Sequence, residues 1–112
     1  MVEVVVTDEF ERWYIDLDEH DSGAVYAAVE ELRNRGVLLG SPQSSAITGS
    51  RYALRELRIQ SRGRPLRVLY AFDPERQAVL LMGADKTGDD RFYAWAVPKA
   101  EHLWETYLEE TR

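Results

Sequence analysis

The sequence contains no cysteine. A disulfide framework, a thiol nucleophile and any cysteine-ligated zinc or iron–sulfur centre are thereby excluded, and a reducing cytoplasm is compatible with the chain. Histidine is almost as scarce, with only His20 and His102. Lysine is reduced to Lys86 and Lys99, so arginine carries nearly all the positive charge. No apolar run approaches the roughly 18 residues that a membrane helix needs. The opening Met-Val-Glu-Val-Val-Val-Thr-Asp has neither the basic flank nor the apolar core of a signal peptide. The expectation is a cytoplasmic protein without membrane association. There is no repeat, no low-complexity tract, no glycine-rich phosphate loop and no recognised metal-ligand spacing. No cofactor and no metal site is expected, and the acidic groups Asp8-Glu9-Glu11 and Asp16-Asp18-Glu19 read as solvated helix faces.

What is present suits one compact domain over residues 1–112. Apolar residues make up 45% of the chain, enough for one core, and three Trp, six Tyr and three Phe enlarge it. The net charge of −6 argues at first against nucleic acid, but its distribution does not. Residues 1–50 hold three basic and ten acidic residues, whereas residues 51–67 hold six arginines against Glu56 alone. A local basic stripe can bind phosphate on an acidic protein, because salt confines exposed charge effects to about 10 Å. The acidic remainder weakens non-specific binding to free RNA or DNA, which suits a protein that holds its substrate with the help of a second surface.

Val2–Val6 reads as a short strand. Thr7 or Asp8 can cap a helix, with Phe10, Trp13, Tyr14 and Leu17 on one face. Ser22 is a candidate cap for a second helix carrying Val25, Ala28, Val29 and Leu32, which Gly36 ends. A short acidic turn near Asp18–Asp21 joins the two into a helical hairpin. Residues 40–51 read as a loop. Three strands joined by tight turns follow: an imperfect alternation over residues 54–59 that allows a bulge, then Leu66–Phe72, then Ala78–Ala84. Arg62-Gly63-Arg64-Pro65 and Asp73-Pro74-Glu75-Arg76 are the turns. Val68, Tyr70 and Phe72 fall on one sheet face, and Arg67, Leu69 and Ala71 on the other. Asp89 or Asp90 caps a last helix from about Arg91, which Pro98 restarts or kinks. Its apolar face is Ala100, Leu103, Trp104, Tyr107 and Leu108. The fold class is α+β: an N-terminal strand and helical hairpin, a three-stranded antiparallel meander and a C-terminal helix.

The strings Leu54-Arg55-Glu56-Leu57-Arg58, Leu66-Arg67-Val68-Leu69-Tyr70-Ala71-Phe72 and Val79-Leu80-Leu81-Met82-Gly83-Ala84-Asp85-Lys86-Thr87 resemble consecutive core motifs of HigB-like toxins in the RelE/ParE superfamily. Phe92-Tyr93 followed by Ala100-Glu101-His102 is similar to its actinobacterial members. The resemblance spans nearly the whole chain and is densest over residues 54–108. It implies a RelE-like fold and the toxin of a type II toxin–antitoxin module. Such toxins typically cleave mRNA on the ribosome and are neutralised by a helix-turn-helix antitoxin, with which they can form a hetero-oligomer. One branch instead poisons DNA gyrase.

Metal-free RNA cleavage uses the ribose 2′-hydroxyl as nucleophile and needs cations on the phosphate, a proton acceptor and a proton donor. Arginine suits the phosphate because its planar donor fork matches the oxygens. Arg67 is the leading candidate, with Arg55 and Lys86 as further catalytic candidates. Arg58, Arg62, Arg64, Arg91 and Tyr93 are candidate RNA contacts. Regular pairing turns Arg55 and Arg58 to opposite faces, since three positions reverse the pleat. Asp85 or Glu56 can orient an arginine or accept a proton. The competing reading of each arginine is a solvated or ion-paired side chain. For Asp85 and Glu56 it is an ion pair with a neighbouring arginine, and for Tyr93, Trp95 and Trp104 it is helix packing. His20 reads as a loop residue and His102 as a partly buried one. Some relatives place a histidine near the cleavage centre, and this meander has none. The expected function is a metal-independent, ribosome-dependent mRNA endoribonuclease that inhibits translation. The alternatives are a non-enzymatic toxin that binds gyrase or another partner, and a catalytically lost partner of an antitoxin.

Overall fold

A computed structural model describes residues 1–112. The elements run in the order β1 (Val4–Val6), α1 (Asp8–Ile15), α2 (Glu19–Arg35), a one-turn 3-10 segment (Gly36–Leu38), β2 (Ser44–Ala46), β3 (Arg55–Ser61), β4 (Arg64–Phe72), β5 (Ala78–Asp85) and α3 (Phe92–Thr111). This is the expected α+β arrangement, and the sheet is wider than the meander alone. Its order is β1-β5-β4-β3-β2, with β1 parallel to β5 and every other pair antiparallel. The meander is thus the middle of a five-stranded mixed sheet. The segment read as a loop over residues 40–51 contributes its edge strand β2, since three residues rich in serine carry too little apolar periodicity to be seen as a strand.

Period-two alternation on β4 divides the core in two. Leu66, Val68 and Tyr70 face α1 and α2, where they join Leu57, Ile59, Phe10, Val25 and Leu32. Leu69 and Ala71 face α3, where they meet Leu54, Val79, Phe92, Ala96, Ala100 and Trp104. Each fully buried large apolar side chain contributes about 1.5–3 kcal/mol by leaving water.

Thr7 caps α1 by accepting the Phe10 N–H (3.1 Å). Asp18, not Ser22, caps α2, accepting the Asp21 N–H at 2.8 Å. Ser22 lies one turn inside, and the tight Asp16–Asp18 connection leaves the helix no later place to start. Gly36 ends α2 with φ at +55°, where its bare Cα lies against Val2 of the N-terminal strand segment. The β3–β4 turn is only Arg62-Gly63, both at positive φ, so Arg64 and Pro65 belong to β4. α3 runs unbroken through Pro98. That proline is exposed, so the carbonyl it cannot pair is free to meet water.

The bulge expected on the first meander strand is on the third. β3 and β4 pair without interruption, whereas Leu69 pairs Met82 and Tyr70 pairs Leu80, which leaves Leu81 as the extra residue of β5. Up to and including it, Val79 and Leu81 face α3. After it, Met82 and Ala84 do so, and Gly83 and Asp85 are turned to the α1 side. This change of parity positions the site described next.

Candidate functional site

Glu56 on β3 points to the α3 side and is buried, with 4% of its surface exposed. Three groups surround its carboxylate. Arg67, its neighbour on β4, brings Nε to 3.4 Å from Oε1. Arg58, two residues along β3, brings Nε to 3.6 Å from Oε2. Tyr93, from the first turn of α3, donates its hydroxyl to Oε1 at 2.7 Å. Arg67 Nε lies within ion-pair distance but out of line for a hydrogen bond, and it has no other partner; Nη1 donates to the Leu66 carbonyl at 3.1 Å. The Arg67 side chain is largely enclosed and the Arg58 side chain is about half exposed. Lys86 follows β5 with the post-bulge parity, its N–H on the Pro65 carbonyl, and its Nζ stands 5.9 Å from the centre of the Tyr93 ring.

Burial pushes the Tyr93 phenol above the ordinary tyrosine range, and the hydrogen bond to Glu56 adds to it, while Arg67 works in the opposite sense. Tyr93 therefore holds its proton at neutral pH. Beside it, a depression of about 380 Å³ opens between Tyr93, Arg58 and the Ser45–Thr48 segment. A second hollow lies along Pro42, Gln43, Gln60, Arg58 and Arg67, so Arg58 forms a wall of both.

The candidates separate into two groups. Arg67, Arg58, Lys86 and Tyr93 are brought together on the α3 face. Arg55 points to the opposite face, donating to Ser44 Oγ (3.2 Å) and the Tyr70 hydroxyl (3.4 Å). Arg64 is on that face too, ion-paired with Asp21 and with Asp85 at 3.1 Å. Arg62 sits at the exposed hairpin tip, 3.4 Å from Asp18. Arg91 precedes α3, is exposed and has no ion pair; its N–H is held by the Asp89 side chain at 3.0 Å. Tyr93 and Trp95 are exposed to 36% and 42%, more open than helix packing implies, while Phe92 is the residue of that first turn that packs into the core. Trp104 is buried as expected.

Neither histidine is at this cluster. His20 is the second residue of α2, not a loop residue, and its Nδ1 lies 3.0 Å from Ser61 Oγ on the other face. His102 is exposed on α3 rather than partly buried. The sequence suggests a Glu56–arginine pair, and only the fold puts that pair at the centre of the cluster. The only signal was one carboxylate among six arginines over residues 51–67. The buried relay in which Ser61 donates to Asp21 Oδ1 at 2.6 Å, with Arg64 on Asp21 Oδ2, was not legible, since its members lie about 40 positions apart. No group of three or more His, Cys, Asp or Glu side chains is disposed to hold a metal ion, and no helix is long and apolar enough to cross a membrane.

Residues 12–105 match the family described as "Phage derived protein Gp49-like (DUF891)". Over 107 residues the chain is 36% identical to a Mycobacterium tuberculosis (strain ATCC 25618 / H37Rv) protein named "Putative toxin HigB3", covering 94% of this chain and 92% of that one. It is 38% identical over 104 residues to a second protein of the same organism, named "Putative toxin HigB2". That alignment covers 86% of this chain and 52% of the relative, so the chain spans about half the length of that protein.

Proposed function

The chain belongs to the Gp49-like family, and from that premise we propose that it is the toxin of a HigB-type toxin–antitoxin module, a RelE-like ribonuclease that cuts mRNA on the ribosome without a metal. The names of the two relatives support the toxin and, with it, an antitoxin partner. The ribonuclease rests on one observation: Arg67, Arg58 and Tyr93 meet at the buried carboxylate of Glu56, with Lys86 beside the Tyr93 ring.

The chemistry follows from the positions. Arg58, half exposed beside the depression, meets the scissile phosphate first, and Arg67 behind it supplies a second positive charge from a site poor in water. Lys86 adds a cation on the Tyr93 side. Attack by the ribose 2′-oxygen on phosphorus, with its proton passing to water, breaks the bond to the 5′-oxygen and leaves a cyclic phosphate and, once the leaving oxygen is protonated, a 5′-hydroxyl. Negative charge grows on the phosphate oxygens as this happens, and fixed cations stabilise it without reorganisation. Tyr93, which keeps its proton at neutral pH, is placed to give it to the leaving oxygen. Glu56 is a positioning residue: it holds two guanidinium groups that otherwise repel each other and orients the phenol. The sparse cationic set on an acidic chain binds free RNA weakly, which is why the ribosome is needed as the second surface.

The test is primer extension on mRNA during brief induction, with Arg67→Ala and Arg58→Ala in parallel and circular dichroism on each purified variant. Cuts within translated frames that vanish in folded variants are the expected outcome. Growth arrest without cuts in the parent would end the ribonuclease reading in favour of a binding toxin.

A further inference from the structure

The second face of the molecule carries a feature that RNA cleavage does not use. β1 is an edge strand, paired on one side only. The Ala78 N–H bonds the Glu3 carbonyl and the Thr7 N–H bonds the Leu80 carbonyl. The alternation of a parallel ladder then turns the N–H and C=O groups of Val4 and Val6 outward, away from β5. An open edge of this kind is a template for another strand.

The edge is not bare. Above it, α1 and α2 diverge to leave a groove of about 320 Å³, floored by Val4, Val6 and Leu80 and walled by Tyr14 on one side and Tyr26 and Val29 on the other. Val6 is 43% and Tyr26 59% exposed. The unpaired charge on the rim has one sign. Glu11 lines the groove, Glu3 and Asp8 flank the strand, and none of the three has an ion-pair partner, whereas the one basic residue of the lining, Arg33, is engaged with Glu30 at 3.0 Å.

We propose that this edge and groove form the docking site for an extended basic segment of a partner protein, with apolar residues at alternate positions. Its main chain pairs with Val4 and Val6. Its apolar side chains enter the groove, and its lysines or arginines fall on the other face of the strand, on the side of Val5 and Glu3. Charge complementarity selects this occupant. A second copy of the chain, pairing β1 to β1, would set the same carboxylates against each other. An RNA strand would meet the acidic half of the molecule. The antitoxin is the natural owner of such a segment, and in that respect alone the inference rests on the preceding reading; the binding chemistry stands without it. The surface lies on the opposite side of the sheet from Glu56, so a partner there leaves the arginine cluster uncovered unless other parts of it reach round.

The experiment uses the full chain, nitrogen-15 labelled, titrated with a short peptide of alternating lysine and valine and with its glutamate–valine counterpart. The lysine peptide is expected to shift the Val4 and Val6 amides saturably and to slow their hydrogen exchange by about tenfold or more; the glutamate peptide is expected to do neither. Glu3→Lys should weaken binding several-fold, and Val6→Lys, at an exposed edge position, should abolish it. Equal response to both peptides, or shifts confined to residues 54–67 and 92–99, would overturn the proposal. Shifts on α1 and α2 without protection of Val4 and Val6 would replace strand addition with a docked helix and overturn it equally. A concentration-dependent doubling of mass with those amides already protected would assign the groove to a second copy. None of these readouts involves RNA, so a negative result here is separate from a loss of toxicity.

Discussion

Glu56 is the residue on which the site turns. A carboxylate with 4% of its surface exposed is costly to bury, and replacement of such networks by apolar residues often stabilises a protein. Its retention makes sense if the arginines must be held apart from their mutual repulsion and aimed. Glu56→Gln keeps the shape and removes the charge. It is expected to cost about 1–3 kcal/mol of stability and, under the proposed ribonuclease reading, to reduce cleavage at least tenfold. The diagnostic is a double-mutant cycle: Arg67→Ala and Glu56→Gln together should lose clearly less activity than the product of the two single losses, because part of the role of Glu56 is exerted through Arg67. Additive losses would mean that Glu56 acts independently. The arginines were legible as candidates because six of them crowd residues 51–67. Which of them share a face followed from parity for Arg55 and Arg58, as expected. Arg64 was less legible, since its place in β4 depends on a turn two residues shorter than the string Arg62–Pro65 suggested.

At the scale of elements, the bulge at Leu81 decides the geometry. Without the extra residue, Lys86 would emerge with the parity of Val68 and Tyr70, on the face opposite Arg67. With it, Lys86 reaches Tyr93, Asp85 reaches Arg64, and Gly83 is turned beneath α1. The Trp13 ring lies directly on Gly83, where an added Cβ would come within 2.2 Å of ring carbons. Gly83→Ala is therefore expected to destabilise by about 1–3 kcal/mol, read as a fall in the urea midpoint at unchanged slope. Midpoint equality with the parent would mean that α1 moves freely on the sheet. The bulge could not be located from sequence, because Val79–Ala84 is apolar on both faces and no alternation is broken there. The caps were easier to read. The sequence offers Thr7 or Asp8 for α1, and Thr7 is the cap; for α2 it offers Ser22, and Asp18, an equally good cap residue a single turn earlier, takes that place.

Over the whole molecule, carboxylates paired in the folded state make stability depend on acid. Ser61 and then Arg64 hold Asp21 below the ordinary aspartate value of 3.8, and Thr87 with Arg64 does the same for Asp85. A folded pKa below the unfolded one gives stability that is complete above the unfolded value and is lost as pH falls through the folded one. Thermal melting should stay level from neutral pH down to about 5 and fall progressively below about 4. Ser61→Ala, which removes the largest cause, should bring the fall at higher pH; an unchanged acid limb would show that the relay contributes nothing. The sequence by itself determined the helices, the three meander strands, the face on which Arg67 lies and the absence of thiol chemistry. These depend on side-chain periodicity, on turn residues and on composition, all of them local. Tertiary structure alone decided that β1 joins β5 in parallel, that β2 closes the other edge, and that Glu56, Arg67, Lys86 and Tyr93 meet. Those facts depend on register and on one unpaired residue in β5, and register is fixed by packing between segments that local sequence does not connect.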